Sequence, residues 1–303
     1  MTKFPAGSGR ANASEAADES ADRESAQKLS AAAEFSSSKL LHNIKGFIFD
    51  FDGTLFDHAL LPFRLISAYP PDLFRLRRER IARRQFAGCD YYTPEEYFRS
   101  FFTMHGKAGF RSPQQARDWY FGRYMPRMIR VLKKHYKLRP GVTELFRQFS
   151  AYSNSKAPAP GSAPKAQPRV AIYSDYPFLK ERLEALGLYP GSSVLLFGPD
   201  FFGAQKPAAR PFLCIAKDFG VEPEEVLVIG DREETDGLGA FKAGMKFFCL
   251  ETGRKRHFRL DPNRRPEWEE PHGPSLLMHA GSWEDLVALL MEKYKLPPTS
   301  RQR

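Results

Sequence analysis

Residues Gly46 to Asp57 read Gly-Phe-Ile-Phe-Asp-Phe-Asp-Gly-Thr-Leu-Phe-Asp, and no other stretch restricts the fold as much. The apolar run Phe47–Phe49 predicts a short strand buried on both faces, as the strands of a parallel sheet are. It ends in Asp50 and Asp52, two residues apart and therefore on one side of the strand, before Gly53 breaks it. Two like charges at a strand end cost stability unless a cation or a reaction uses them. A plain Asp-x-Asp-Gly surface turn is the bland alternative, and the rest of the chain has to decide between the two.

The remainder supports the sheet. Strand candidates follow at Arg169–Tyr173, Ser193–Phe197, Val226–Ile229, Lys246–Leu250 and, more weakly, Leu276–Met278. Helices are expected at Gly141–Phe149, at Phe178–Leu186 closed by Gly187, at Ala208–Phe219 closed by Gly220, and near Leu238–Lys242. Ser282-Trp283-Glu284-Asp285 caps a last one that runs to about Tyr294. Alternating strands and helices make an α/β fold, a parallel sheet with helices on both faces. Such sheets bind ligands beyond the carboxyl ends of their strands, where Asp50 and Asp52 stand.

Between Asp57 and Arg139 no strand candidate occurs. Thr93-Pro94-Glu95-Glu96 and Ser112-Pro113-Gln114-Gln115 read as helix starts with Pro at the first helical position, the second opening a long helical stretch interrupted near Pro126. This segment is an all-helical insert. It also holds eighteen Lys plus Arg against seven Asp plus Glu, an excess of +11 that accounts for the chain's net charge of +10 while the rest is near neutral. No nucleic-acid motif accompanies that charge, so a solvated face or anion recognition is expected rather than a nucleic-acid partner. Arg77, Arg80 and Arg84, three and four apart, share a helix face and are candidates for substrate specificity.

The chain divides accordingly into a disordered tail (residues 1–40), a core (41–56 and 141–296) with a flexible loop at 153–168, the helical insert (57–140) and a short tail (297–303). No run is long enough to span a membrane. The tail lacks the apolar core of a secretory signal. Cys89, Cys214 and Cys249, odd in number and scattered, suit the reduced thiols of a cytoplasmic protein.

Three further strand ends carry reactive residues. Ser174-Asp175 follows the second strand, where a hydroxyl and backbone amides suit a phosphate. Lys206, just ahead of a helix taken to begin at Pro207, suits an anion. Asp231 closes a later strand and Asp236 opens the helix after it. Asp50, Asp52, Asp231 and Asp236 with one Lys and one hydroxyl call for a hard cation, and oxygen ligands of this kind suit magnesium. Gly237-Leu238-Gly239 follows no strand and makes a poor dinucleotide loop. His58 reads as a boundary residue.

In this order the four motifs resemble the haloacid dehalogenase superfamily, specifically its phosphatases with a helical cap after the first strand, of the phosphoglycolate phosphatase kind. The resemblance spans about Ile44 to Tyr294. It implies a Rossmann-like core, Asp50 as the nucleophile that becomes an aspartyl-phosphate, and Asp52 as general acid and then base. It also implies magnesium held by Asp50, the backbone carbonyl of Asp52 and Asp231, with Asp236 binding it directly or through water, and Ser174, Asp175 and Lys206 around the phosphoryl group. Asp175 stands where such enzymes more often carry Asn or Gly. The expected substrate is a small phosphorylated metabolite. A phosphomutase, or a non-catalytic protein that binds through its basic insert, is the alternative.

Overall fold

The computed structural model describes residues 40–106, 110–154, 168–252 and 278–294. Compact packing divides the chain into Met1–His42, of which only the last three residues are described, and Asn43–Arg303. The predicted tails, and most of the 153–168 loop, lie outside the described residues. Everything below concerns the second unit.

Its centre is a six-stranded sheet in which every pair is parallel, in the order β3-β2-β1-β4-β5-β6. The strands are β1 Gly46–Asp50, β2 Arg169–Tyr173, β3 Val194–Phe197, β4 Val226–Gly230, β5 Lys246–Leu250 and β6 Met278–Gly281. β1 and β4 are buried along their whole length, as apolar runs covered on both faces must be. Alternate residues of β1 serve opposite layers. Phe47 and Phe49 pack on Phe146 and Phe149 of the Val142–Asn154 helix, and Phe47 also meets Tyr294. Ile48 joins a cluster on the other face with Phe212, Ile215 and Phe219 of the Ala209–Phe219 helix. Helices thus cover both faces, and the fold is Rossmann-like. The chain adds strands to one side of β1 and then to the other, so the end of Asp50 lies at the point where strand order reverses.

Three expected boundaries move. The helix placed at Pro207 begins at Ala209, because Ala208 is extended and its N–H closes a turn onto the Gln205 carbonyl at 3.1 Å. The helix expected to end at Phe149 continues to Asn154 and takes the first two residues of the expected loop. The last strand is Met278–Gly281, four residues paired with Phe247–Leu250 of β5, so that only Met278 overlaps the expected one.

The regular elements of the insert, among its described residues, are helices: Leu61–Ala68, Leu73–Gln85, Pro94–Gly106, Pro113–Trp119 and Met125–His135, with a 3-10 turn at Pro70–Asp72. Ser112 caps as expected, its Oγ accepting from the Gln115 N–H at 3.1 Å. Gln115 reaches back to the Arg111 N–H rather than to the cap residue itself, so only half of the reciprocal box forms. The interruption near Pro126 is a π turn over Tyr120–Tyr124. Pro126 then falls in the first turn of the next helix, where its missing N–H does no harm. Phe86, Tyr97, Phe101, Phe102 and Tyr120 fill the insert's interior edge to face, each buried ring contributing about 1.5–3 kcal/mol relative to exposure.

Backbone pairing fastens the insert to the core. Tyr91 donates to the Gly203 carbonyl at 2.9 Å, Gln205 to the Cys89 carbonyl at 3.0 Å, and Gly88 to the Lys206 carbonyl at 3.1 Å. A Cβ on Gly203 would lie 2.1 Å from the Thr93 carbonyl oxygen, and φ there is +61°, so only glycine allows this approach. Among the described residues, no helix is long and apolar enough to cross a membrane.

Candidate active site

Asp50 closes β1 and is almost buried. Lys206 Nζ donates to its Oδ1 at 2.6 Å, and Thr54 Oγ1 donates to its Oδ2 at 2.9 Å. The turn that brings Thr54 back rests on Gly53. That residue has φ +101°, and a Cβ there would stand 2.3 Å from Asp231 Oδ2 and 2.5 Å from the His58 ring. Asp231, just past β4, therefore lies directly over the backbone that follows Asp50.

Asp236 arrives by a second close approach. It sits in a π turn, Glu233–Gly237, that folds back over the end of β4. A Cβ on Gly230 would meet the Asp236 side chain at 2.5 Å. Asp236 Oδ1 then accepts from Lys206 Nζ at 2.7 Å. Carboxylate oxygens of Asp50, Asp231 and Asp236 all lie within 4.8 Å of one another. One buried ammonium among three carboxylates leaves the cluster short of positive charge. Burial disfavours the Lys206 charge, yet Asp236 and Asp50 raise its pKa well above the ordinary value and keep it charged. Burial pushes the Asp236 carboxyl up to about 7, against the pull of Lys206 and with a further push from Asp50.

Asp52 occupies a separate corner. Arg182 Nη2 donates to its Oδ1, and Ser174 Oγ donates to its Oδ2 at 3.0 Å. Arg182 Nη1 also donates to Ser174 Oγ at 2.9 Å. Burial disfavours the Asp52 charge, but Arg182 outweighs it, helped by His58 and Ser174, and holds the carboxyl below its ordinary pKa. The Ser174 hydroxyl, expected at a phosphate, donates here to Asp52 and accepts from the Tyr176 N–H. Asp175 turns its carboxylate to the Lys206 N–H at 2.9 Å and so ties the end of β2 to the lysine loop. Burial raises its pKa.

Sequence reasoning missed Arg182. Its neighbours Lys180, Glu181 and Glu184 make it resemble one more charge on a solvated helix. Leu179, Arg182 and Leu183 nevertheless share the buried face at positions i, i+3 and i+4, and an arginine inside an apolar stripe was a signal that could be read. In the insert, Arg77, Arg80 and Arg84 are exposed, whereas Arg83 of the same helix is buried. Arg83 donates to the Asp175 carbonyl at 2.7 Å, to Glu79 at 2.8 Å and to the Tyr120 hydroxyl, with its guanidinium 3.7 Å from the Tyr176 ring centroid. His58 lies at the site's edge, its ring 2.5 Å from where a Cβ on Gly53 would stand. Gly239 is a packing residue, since a Cβ there would stand 2.3 Å from the Phe212 ring.

The haloacid dehalogenase-like hydrolase family matches residues 44–244, well over half of the chain. A glyceraldehyde 3-phosphate phosphatase of Pyrococcus furiosus is 33% identical over 78 residues, 26% of this chain and 32% of that protein. Chronophin of Rattus norvegicus is 44% identical over 48 residues, 16% of each chain. The chain thus spans about a third or less of the length of these curated relatives. Among solved structures, a 2-haloacid dehalogenase from Pseudomonas syringae aligns with a TM-score of 0.49 at 16% identity, covering 82% of this chain and 99% of that one.

Proposed function

The chain belongs to the haloacid dehalogenase-like hydrolases, and on that premise we propose that it is a magnesium-dependent phosphatase that hydrolyses a small phosphorylated metabolite through an aspartyl-phosphate on Asp50. The observation that carries this reading is the placement of Asp50, Asp231 and Asp236 oxygens within 4.8 Å of one another, with Lys206 Nζ between two of them, where strand order reverses. Closely set carboxylates with a deficit of positive charge fit a hard divalent cation. Asp50, Asp231, Asp236 and the Asp52 backbone carbonyl would hold it, and when bound it supplies positive charge against the phosphoryl oxygens.

The residues then divide the work. Lys206 and Thr54 fix both oxygens of Asp50, so its carboxylate is oriented before substrate arrives. An Asp50 oxygen attacks phosphorus, the ester P–O bond breaks, and the leaving oxygen takes a proton from Asp52. Asp52 next removes a proton from a water molecule. The resulting hydroxide attacks phosphorus, releases phosphate and restores Asp50. Because Arg182 favours the ionised form of Asp52, this carboxylate is better suited to the base step than to the acid step. The curated relatives named above are themselves phosphatases in part, which favours hydrolysis over phosphoryl transfer to a second substrate hydroxyl.

The test is phosphate release from sugar phosphates, phosphoglycolate and nucleotides, with magnesium and with excess EDTA. Release should require magnesium and vanish in Asp50→Asn. Undiminished release by that variant, or full activity in EDTA, would overturn the proposal, and isomerisation without free phosphate would make the protein a mutase.

A further inference from the structure

A second concave site lies on the helical insert. A cavity of about 810 Å³ opens between the Leu61–Ala68 and Met125–His135 helices. Arg64, Arg123, Arg127, Arg130 and Lys134 line it, and among the described residues no Asp or Glu does. The residues of the carboxylate cluster do not line it either. Its volume is that of a small-molecule site, roughly 300–1,000 Å³.

Two of the five cations are held in place. Asp72, itself buried, accepts from Arg127 Nη2 at 2.6 Å, and the Arg127 guanidinium stands 4.8 Å from the Tyr69 ring centroid. Its Nη1 is buried without a hydrogen-bond partner among the described residues. Arg64 donates to the His135 carbonyl at 2.5 Å and stacks 4.6 Å from the Tyr136 ring centroid. Arg123, Arg130 and Lys134 are exposed and form no ion pair among the described residues. Asp72 offsets the charge of Arg127, and the other four like charges around one concavity repel each other, a repulsion that an anion relieves. The rim adds an apolar demand, because Leu60 and Phe63 are 54% and 68% exposed.

We propose that this cavity binds an organic polyphosphate, an anion with several phosphate charges and an attached aromatic or aliphatic group. The concavity, with the buried Arg127 among its lining residues, favours a soluble ligand over a flat anionic membrane. The inference is independent of the phosphatase reading.

ATP serves as the probe, titrated calorimetrically into the full chain in EDTA so that no divalent cation is available. Binding is expected in the wild type and in Asp50→Asn alike. It should weaken at least tenfold in Arg130→Glu/Lys134→Glu, while that variant keeps the wild-type melting temperature and its magnesium-supported hydrolysis of a small aryl phosphate. Arg123→Glu gives the same answer by a separate wall residue. ATP affinity unchanged by these charge reversals would overturn the proposal. Tripolyphosphate binding as tightly as ATP would remove its organic part. Binding to phosphatidylserine vesicles without binding to ATP would assign the surface to lipid instead.

Discussion

Arg182 brings a full positive charge into the protein interior, and its partners Asp52 and Ser174 make that placement tolerable. Removing one member of such a pair strands the other, at a cost of about 3–5 kcal/mol. Arg182→Met should therefore lower stability toward urea by about that amount at neutral pH. It should also slow turnover on the order of 100-fold, the lower end of what a positioned general base contributes. Arg182→Lys restores the charge but not the fork that reaches Asp52 and Ser174 together, so it should recover only part of the rate. A wild-type rate in the Met variant would show that Asp52 does not depend on Arg182 for its position. Gly53 makes a different prediction. Ala at φ +101° costs about 1–3 kcal/mol, and its methyl would displace Asp231. Gly53→Ala should lose nearly all activity in a protein that still folds, and retained activity would mean that Asp231 is dispensable. Asp50 and Asp231 were legible in the sequence because each closes an apolar run, and Asp52 and Asp236 because they follow those strand ends within a few residues. Arg83 and Arg182 were not picked out, because each stands among other charges and only the way its helix packs separates it from them.

At the scale of elements, the insert is tied together by one buried carboxylate. Asp72, ahead of the Leu73–Gln85 helix, accepts from Arg127 at 2.6 Å, from Trp119 Nε1 at 3.0 Å and from Arg75 at 3.1 Å, and so joins three helices. Burial opposes its charge, yet the bonds from Arg127 and Trp119 hold its carboxyl below the ordinary pKa. A depressed folded-state pKa gives stability that is fully present above the unfolded pKa and is lost as pH falls through the folded one. The share of the stability that depends on Asp72 should accordingly be constant from neutral pH down to about 5, and then decline below about 4. Asp72→Asn should cost about 1.5–3 kcal/mol at pH 7 and show a shallower decline in acid. Parallel pH curves for the two proteins would mean that other carboxylates account for the acid sensitivity. Element boundaries were legible where local chemistry is decisive. β5 falls on Lys246–Leu250 as expected, since Gly244 at φ +72° ends the preceding helix and an apolar run follows. The start of the Ala209–Phe219 helix was missed because Lys206 is held by Asp175 and by Gly88 of the insert, which local propensity does not record.

For the whole molecule, the cluster exists only once the sheet has formed. Asp50 comes from β1, Asp231 from the end of β4 and Asp236 from the turn beyond it, so the unfolded chain offers no comparable site. The parallel sheet itself was foreseeable from apolar runs separated by helices. The pairing of β1 with both β2 and β4 is a tertiary outcome, and it is what brings the carboxylates together. A cation that binds the folded state and not the unfolded one stabilises by RT ln(1 + [L]/Kd), about 2.7 kcal/mol at a hundred times Kd. In a protein of this size each kcal/mol moves Tm by roughly 2–4 °C. Saturating magnesium should thus raise Tm by about 5–10 °C over the value in EDTA, whatever the substrate is. Asp231→Asn should abolish the shift while leaving Tm in EDTA unchanged or slightly higher, because it removes one of three mutually repelling carboxylates. Equal magnesium shifts in the wild type and in Asp231→Asn would place the ion elsewhere and remove the chemical role given to this cluster.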